Sequence, residues 1–134
     1  MRLLPDTNIL IYETVEDSEH HEEVCRILDQ AKEIFIPSII IHEYLWVAPK
    51  IGIDIKTVFV KITEYLRDSR VYYFAESLDD YRSAIRMLLE DNKSYRELND
   101  YIILAIAIKE KLILATYDYE LKKAATRRGV RVVP

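Results

Sequence analysis

Residues 100–118 run Asp100-Tyr101-Ile102-Ile103-Leu104-Ala105-Ile106-Ala107-Ile108-Lys109-Glu110-Lys111-Leu112-Ile113-Leu114-Ala115-Thr116-Tyr117-Asp118. Wound at helical pitch, the first part is apolar on every side. It predicts a helix from Asp100 to Lys109, capped by Asn99 and buried all round. After the charged break, Leu112 to Ala115 is a short continuous apolar run, the mark of a strand covered on both faces. A buried helix feeding a doubly covered strand is half of a βαβ unit.

Outward from this stretch the same alternation persists. Leu3-Leu4, Ile34-Phe35-Ile36, Val71-Tyr72-Tyr73-Phe74 and Val130-Arg131-Val132-Val133 read as further strands. Between them, Val24, Ile27, Leu28 and Ala31 make one helical stripe. Ile55, Val58, Phe59, Ile62, Tyr65 and Leu66 make another behind Asp54 as N-cap. Leu78, Tyr81, Ile85, Leu88 and Leu89 make a third, with Ser77 and Asp80 spaced as a capping box. Ser38 is placed to cap a helix through Trp46 that ends at Pro49-Lys50-Ile51-Gly52. A last helix runs from about Tyr119 to Arg128, with Gly129 as its stop. No linker or repeat interrupts the chain, so residues 1–134 are expected to form a single α/β domain. Trp46 and Cys25 are expected in the core.

Composition narrows the chemistry. Half of the 134 residues are hydrophobic, enough for one domain to bury roughly 65–70% of its unfolded surface. Gly52 and Gly129 are the only glycines, which excludes a Walker-type loop and a dinucleotide fingerprint. A lone Cys25 excludes an intrachain disulfide and a multi-cysteine metal site, and fits a reducing compartment. Pro5 and Asp6 interrupt any secretory signal, and no apolar run is long enough to span a bilayer, so a cytoplasmic protein is expected. The net charge of −4 is a poor first sign for a nucleic-acid binder. That charge is segregated, however: residues 119–134 carry a net +4 and residues 1–118 a net −8.

In an open parallel sheet, ligands bind outside the carboxyl ends of the strands. Asp6 follows the first strand, Glu43 lies just over one turn into the helix after the second, and Asp118 comes three residues after the fourth. Asp100 opens the helix that leads into the fourth strand and should start at the same edge. Each acid alone could simply cap backbone donors or sit on a solvated helix face. Together they form a cluster, and two like charges at about 4 Å repel by roughly 4 kcal/mol near a protein surface. Four such groups need something positive among them. Oxygen-only ligand sets select Mg²⁺ or Mn²⁺. Asn8, Ser38 and Thr116 add short polar groups at that edge. His42-Glu43 does not open a zinc-protease helix, because position 46 is Trp, and His20 and His21 read as solvated. Tyr44, Tyr101, Tyr117 and Tyr119 each adjoin one of these acids. Base stacking is open to them, although most are expected to be packing residues.

Asp6-Thr7-Asn8-Ile9-Leu10-Ile11-Tyr12, Pro37-Ser38-Ile39-Ile40-Ile41-His42-Glu43, Asp100 before its Ile/Ala helix, and Thr116-Tyr117-Asp118-Tyr119-Glu120-Leu121 together resemble a PIN domain. The likeness is nearest to the ribonuclease toxins of VapBC toxin–antitoxin pairs. It covers essentially the whole chain and is carried by the order and spacing of these segments rather than by any one motif. It implies a three-layer α/β/α sandwich around a mostly parallel sheet of four to five strands. It also implies a nuclease site in which Asp6, Glu43, Asp100 and Asp118 hold one or two Mg²⁺ or Mn²⁺, supported by Asn8, Thr116 and Glu120. The chain departs from many relatives at Tyr101, where they carry a smaller residue.

The chemistry implied is metal-assisted hydrolysis of an RNA phosphodiester, with no histidine base required. Lys122, Lys123, Arg127 and Arg128 are the candidates for steadying the RNA backbone. An antitoxin protein and a homodimer are the expected partners, with no membrane. Two other readings stay open. An aspartyl phosphotransferase would want a second acid two residues after Asp6, where Asn8 stands. A catalytically silent binding module could use the apolar helices around Ile9–Tyr12 and Ile53–Leu66 as a groove or dimer face, where ordinary core stripes serve as well.

Overall fold

The computed structural model describes residues 1–134. Its strands are β1 (Arg2–Pro5), β2 (Glu33–Pro37), β3 (Val71–Phe74), β4 (Ile113–Ala115) and β5 (Val132–Val133). Its helices are α1 (Thr7–Thr14), α2 (His21–Gln30), α3 (Ser38–Lys50), α4 (Ile55–Arg67), α5 (Leu78–Glu90), α6 (Leu98–Glu110) and α7 (Tyr119–Arg127), and a 3₁₀ turn at Tyr95–Glu97 precedes α6. The five strands form one sheet in the order β3-β2-β1-β4-β5 with every pairing parallel. Right-handed crossovers then dictate the layers. The chain moves one way from β1 to β3, which puts α1–α4 on one face. It returns through α5–α6 and continues through α7 on the other face, and the contacts between helices follow that division. The direction reverses between β1 and β4, so the crevice for a ligand lies beyond their carboxyl ends.

The core is what the opening stretch predicts. Tyr101 to Ala107 are all buried, as are Leu112, Leu114 and Ala115, and they pack with Leu3, Leu4, Ile36 and Ile40 into one cluster. Asp54 caps α4 through Thr57 N–H at 2.8 Å, and Ser77 and Asp80 form the complete capping box of α5. Gly129 closes α7 with φ +76°, a left-handed turn that glycine adopts without strain.

Several expectations are corrected. Ser38 is the first residue of α3 rather than its cap; its hydroxyl donates to the Glu76 carboxylate, lying 2.9 and 2.7 Å from its two oxygens, and Ile39 N–H reaches the same carboxylate. Asn99 does not cap α6, because the 3₁₀ turn starts the coil earlier. Trp46 is 70% exposed, and Cys25 is only partly buried. On α5, which packs against α6, the buried side is Ala84, Met87 and Leu88, while Leu78, Tyr81, Ile85 and Leu89 lie on the outside. α4 buries only Val58 and exposes Ile55, Phe59 and Leu66. Helical periodicity finds an apolar stripe without saying what covers it: Val58, Ile62 and Tyr65 of the α4 stripe and Leu88 of the α5 stripe pack on the core, and the rest of both stripes is left uncovered.

Truncating a fully buried side chain at the sheet, as in Leu4→Ala or Ile103→Ala, is expected to cost about 2–5 kcal/mol in urea unfolding. Leu66→Ala, on the uncovered side of α4, is expected to stay within about 0.5 kcal/mol.

Candidate active site

The β1–β4 pairing brings the two ends of the chain together at the sheet edge. Pro5 lies beside Ala115, and Asp6 N–H donates to Ala115 C=O at 2.9 Å. Asp6 is 6% exposed and caps α1, its Oδ1 accepting Thr7 N–H at 2.7 Å. Its Oδ2 accepts the hydroxyl of Thr116 at 2.9 Å, and that hydroxyl oxygen accepts Asp118 N–H at 3.0 Å. Thr116 is fully buried, so one hydroxyl joins the acid after β1 to the acid after β4. Asp118 caps α7 through Leu121 N–H at 2.8 Å. Two of the four acids therefore do cap helices, yet capping uses only part of the acceptor capacity of a carboxylate.

Glu43 and Asp100 complete the group from α3 and from the first turn of α6. Burial raises the Glu43 carboxyl above the usual range and the charge of Asp6 adds to this, while the nearby side chains of Thr7 and Asn99 pull the other way. Its Oε1 is buried with no hydrogen-bond partner, as is the neighbouring hydroxyl of Thr7. Asp100 is pushed up to about 7, first by burial and then by the charges of Asp6, Asp118, Glu43 and Glu97. Asp6 is also raised, chiefly by burial, while its two donors pull the other way. No lysine, arginine or histidine forms an ion pair with any of the four.

No three of these side chains stand close enough to grip a single ion together. An open, hydrated site does not need that: Mg²⁺ keeps several waters and takes one or two protein carboxylates. The all-oxygen donor set, the absence of any compensating cation and the orphaned Glu43 oxygen fit such an ion.

The remaining candidates divide. Asn8 is exposed on α1, and Glu120 is exposed on α7, within 3.7 Å of Lys93 and 4.0 Å of Lys123. Lys122 and Lys123 stand over the rings of Tyr117 and Tyr119. Arg127 and Arg128 both donate to Asp91, Arg127 at 3.0 Å with its side chain half exposed and the more enclosed Arg128 at 2.9 Å through both nitrogens. Of the four adjoining tyrosines, Tyr44 and Tyr101 are core and only Tyr119 is well exposed. His20 is not simply solvated, since it stacks on Tyr117 with centroids 4.0 Å apart. Two participants escape a sequence reading. Thr7 is hidden beside the more conspicuous Asp6. Glu97 lies three residues before Asp100, a spacing that becomes meaningful only once the coil is known to start before Asn99.

Between about pH 4 and pH 7 the folded protein keeps a proton on Asp100 that the unfolded chain has released, so stability falls as pH rises through this window and levels off above it. Asp6 and Glu43 shift in the same sense. Asp91 and Asp80, held below the usual range, lose their contribution only in more acid solution. Melting curves in EDTA are expected to show this decline, and Asp100→Asn is expected to flatten it and to raise the melting temperature at pH 7.5. An unchanged slope in that variant would remove Asp100 as the cause.

The PIN domain family model matches residues 3–127. Among solved structures, the chain is similar to VapC20 of Mycobacterium tuberculosis, a sarcin–ricin loop cleaving toxin, with a TM-score of 0.78 at 14% identity over 91% of this chain and 94% of that one. It is also similar to VapBC2 from Rickettsia felis bound to a promoter DNA fragment, with a TM-score of 0.70 at 20% identity over 99% and 98% of the two chains. DNA-bound VapBC from Salmonella typhimurium gives 0.70 at 18% identity over 99% and 97%. Among curated proteins, none matches the chain by sequence. At these identities the structural likeness speaks to the fold, but the family match spans nearly the whole chain, with its acids at the switch point of a parallel α/β/α sheet: the chain belongs to the PIN domain family.

Proposed function

We propose that this PIN domain is an endoribonuclease that hydrolyses RNA phosphodiesters with one or two Mg²⁺ or Mn²⁺, and that it serves as the toxin of a toxin–antitoxin pair. One observation carries the reading: four buried or partly buried carboxylates share an edge of the sheet with no cation paired to any of them. An acidic edge of this kind repels a phosphodiester unless divalent ions lie between them. When bound, such ions supply positive charge opposite the phosphoryl oxygens and lower the pKa of a coordinated water.

The chain's own part is to hold and orient. Thr116 fixes the Asp6 carboxylate by donating to Oδ2, and the α1 backbone fixes Oδ1. The α7 backbone fixes one oxygen of Asp118 and leaves the other free. Glu43 offers an unengaged oxygen, and Asp100 gives up its proton as positive charge arrives. Lys122 and Lys123, on α7 just beyond Asp118, are the candidates for steadying the flanking RNA backbone. The toxin role is supported by the neighbours named above, which include VapBC complexes. The exposed apolar stripes of α4 and α5 offer surface for an antitoxin or for a second copy.

Purified protein is expected to cleave RNA in Mg²⁺ or Mn²⁺, and EDTA or Asp6→Asn is expected to abolish the cleavage. RNA left intact after long incubation, together with no rise in melting temperature on adding either ion, would overturn the reading.

A further inference from the structure

Asp91 terminates α5, where a negative charge faces the unfavourable end of the helix dipole. It is nonetheless 13% exposed and accepts four hydrogen bonds. Tyr101 O–H, from the first turn of α6, donates to Oδ2 at 2.5 Å. Arg127 donates to Oδ2 at 3.0 Å, and Arg128 adds a two-pronged pair at 2.9 Å to both oxygens. Arg128 also lies 6.0 Å over the Tyr101 ring. Two residues further on, Lys93 stands 3.7 Å from Glu120 in the first turn of α7. The loop between α5 and α6 is thus tied to both ends of α7 and to the residue that follows Asp100.

Asp118 is the cap of α7 and Asp100 lies in the first turn of α6, so the tie joins the two helices that bring these carboxylates to the edge. Charge-assisted bonds around a nearly buried carboxylate are the strong kind, and the guanidinium fork fixes orientation as well as distance. Tyr101 carries the restraint into α6, since its hydroxyl is held by Asp91 while its ring is packed in the core.

We propose that Asp91, with Tyr101, Arg127 and Arg128, is a positioning clamp that holds the Asp100 end of α6 against α7, and so sets the spacing of Asp100 and Asp118 for a divalent ion. The inference rests on the metal-binding reading of the acidic edge. A purely structural tie predicts something different, and the molecule holds its own control. Lys109 and Asp80 join α5 and α6 elsewhere, at 2.6 Å and far from the acids along α6.

The test is calorimetric titration of Mn²⁺ into the full chain and into Asp91→Asn, Tyr101→Phe and Lys109→Met, with melting temperatures in EDTA alongside. Tyr101→Phe keeps the buried ring and removes only the hydroxyl. Asp91→Asn and Tyr101→Phe are expected to weaken Mn²⁺ binding by at least about tenfold, as loss of an outer support does at metal sites. Lys109→Met is expected to lower the melting temperature while its Mn²⁺ affinity stays within about twofold of the parent. Parental affinity in Tyr101→Phe, or equal weakening in Lys109→Met, overturns the clamp and leaves the nuclease reading standing. A parent chain that binds no Mn²⁺ overturns both.

Discussion

The acidic edge depends on the pairing of β1 with β4. These strands are more than a hundred residues apart in sequence, and their register sets Pro5 beside Ala115, so that the next residues of each leave the sheet side by side. Asp6 and Thr116 then meet through a single hydrogen bond. A slip of one residue in this ladder would turn every side chain of β1 to the opposite face and separate them. The register is held by burial: Leu3, Leu4 and Leu114 are fully enclosed between the helix layers on the two faces of the sheet, and α6 brings an unbroken run of buried side chains to one of them. The hydrophobic core and the polar site thus share one structural cause.

Carboxylates held this close lower the stability of the fold that holds them. Burial and mutual repulsion raise Asp6, Glu43 and Asp100 together, which marks a site arranged for something other than its own stability. The contrast within the chain is instructive. Asp80 is about as enclosed as Asp6, but Lys109 and the start of α5 surround it with donors, and it is held below the usual range. Asp91 is satisfied in the same way by two arginines and a tyrosine. The domain has cations to spend on its structural acids and places none at the edge where β1 and β4 end.

Much of this is legible in the sequence, and the reasons for the rest are physical. The continuous apolar runs identify covered strands. Right-handed crossovers then carry Asp6, Glu43, Asp100 and Asp118 to one edge before any coordinate is known. Ser38 and Asn99 are misread because a good capping residue near a helix start says nothing about competitors: Glu76, far along the chain, takes the role at α3, and a 3₁₀ turn begins α6 early. Trp46 is misread, and the α4 and α5 stripes are covered only in part, because hydrophobicity reports a preference for cover and not the identity of the cover. Arg127 and Arg128 are basic and near the site in sequence, but their partner Asp91 lies on another element, and only the fold brings the charges together.

The hydroxyl of Thr116 has one proton to give. Asp118 N–H is an obligatory donor and occupies the acceptor side of that oxygen, so the proton is directed to Asp6 Oδ2. Thr7 N–H, equally unable to accept, faces Oδ1. Asp6 therefore looks at two fixed donors, which pull against the burial that raises its carboxyl, while Asp100 has no such donor and is pushed up to about 7. Two backbone N–H groups, set in place when the chain turns out of the sheet, thus favour the charged form of one carboxylate of the cluster and give no such help to its neighbour on α6.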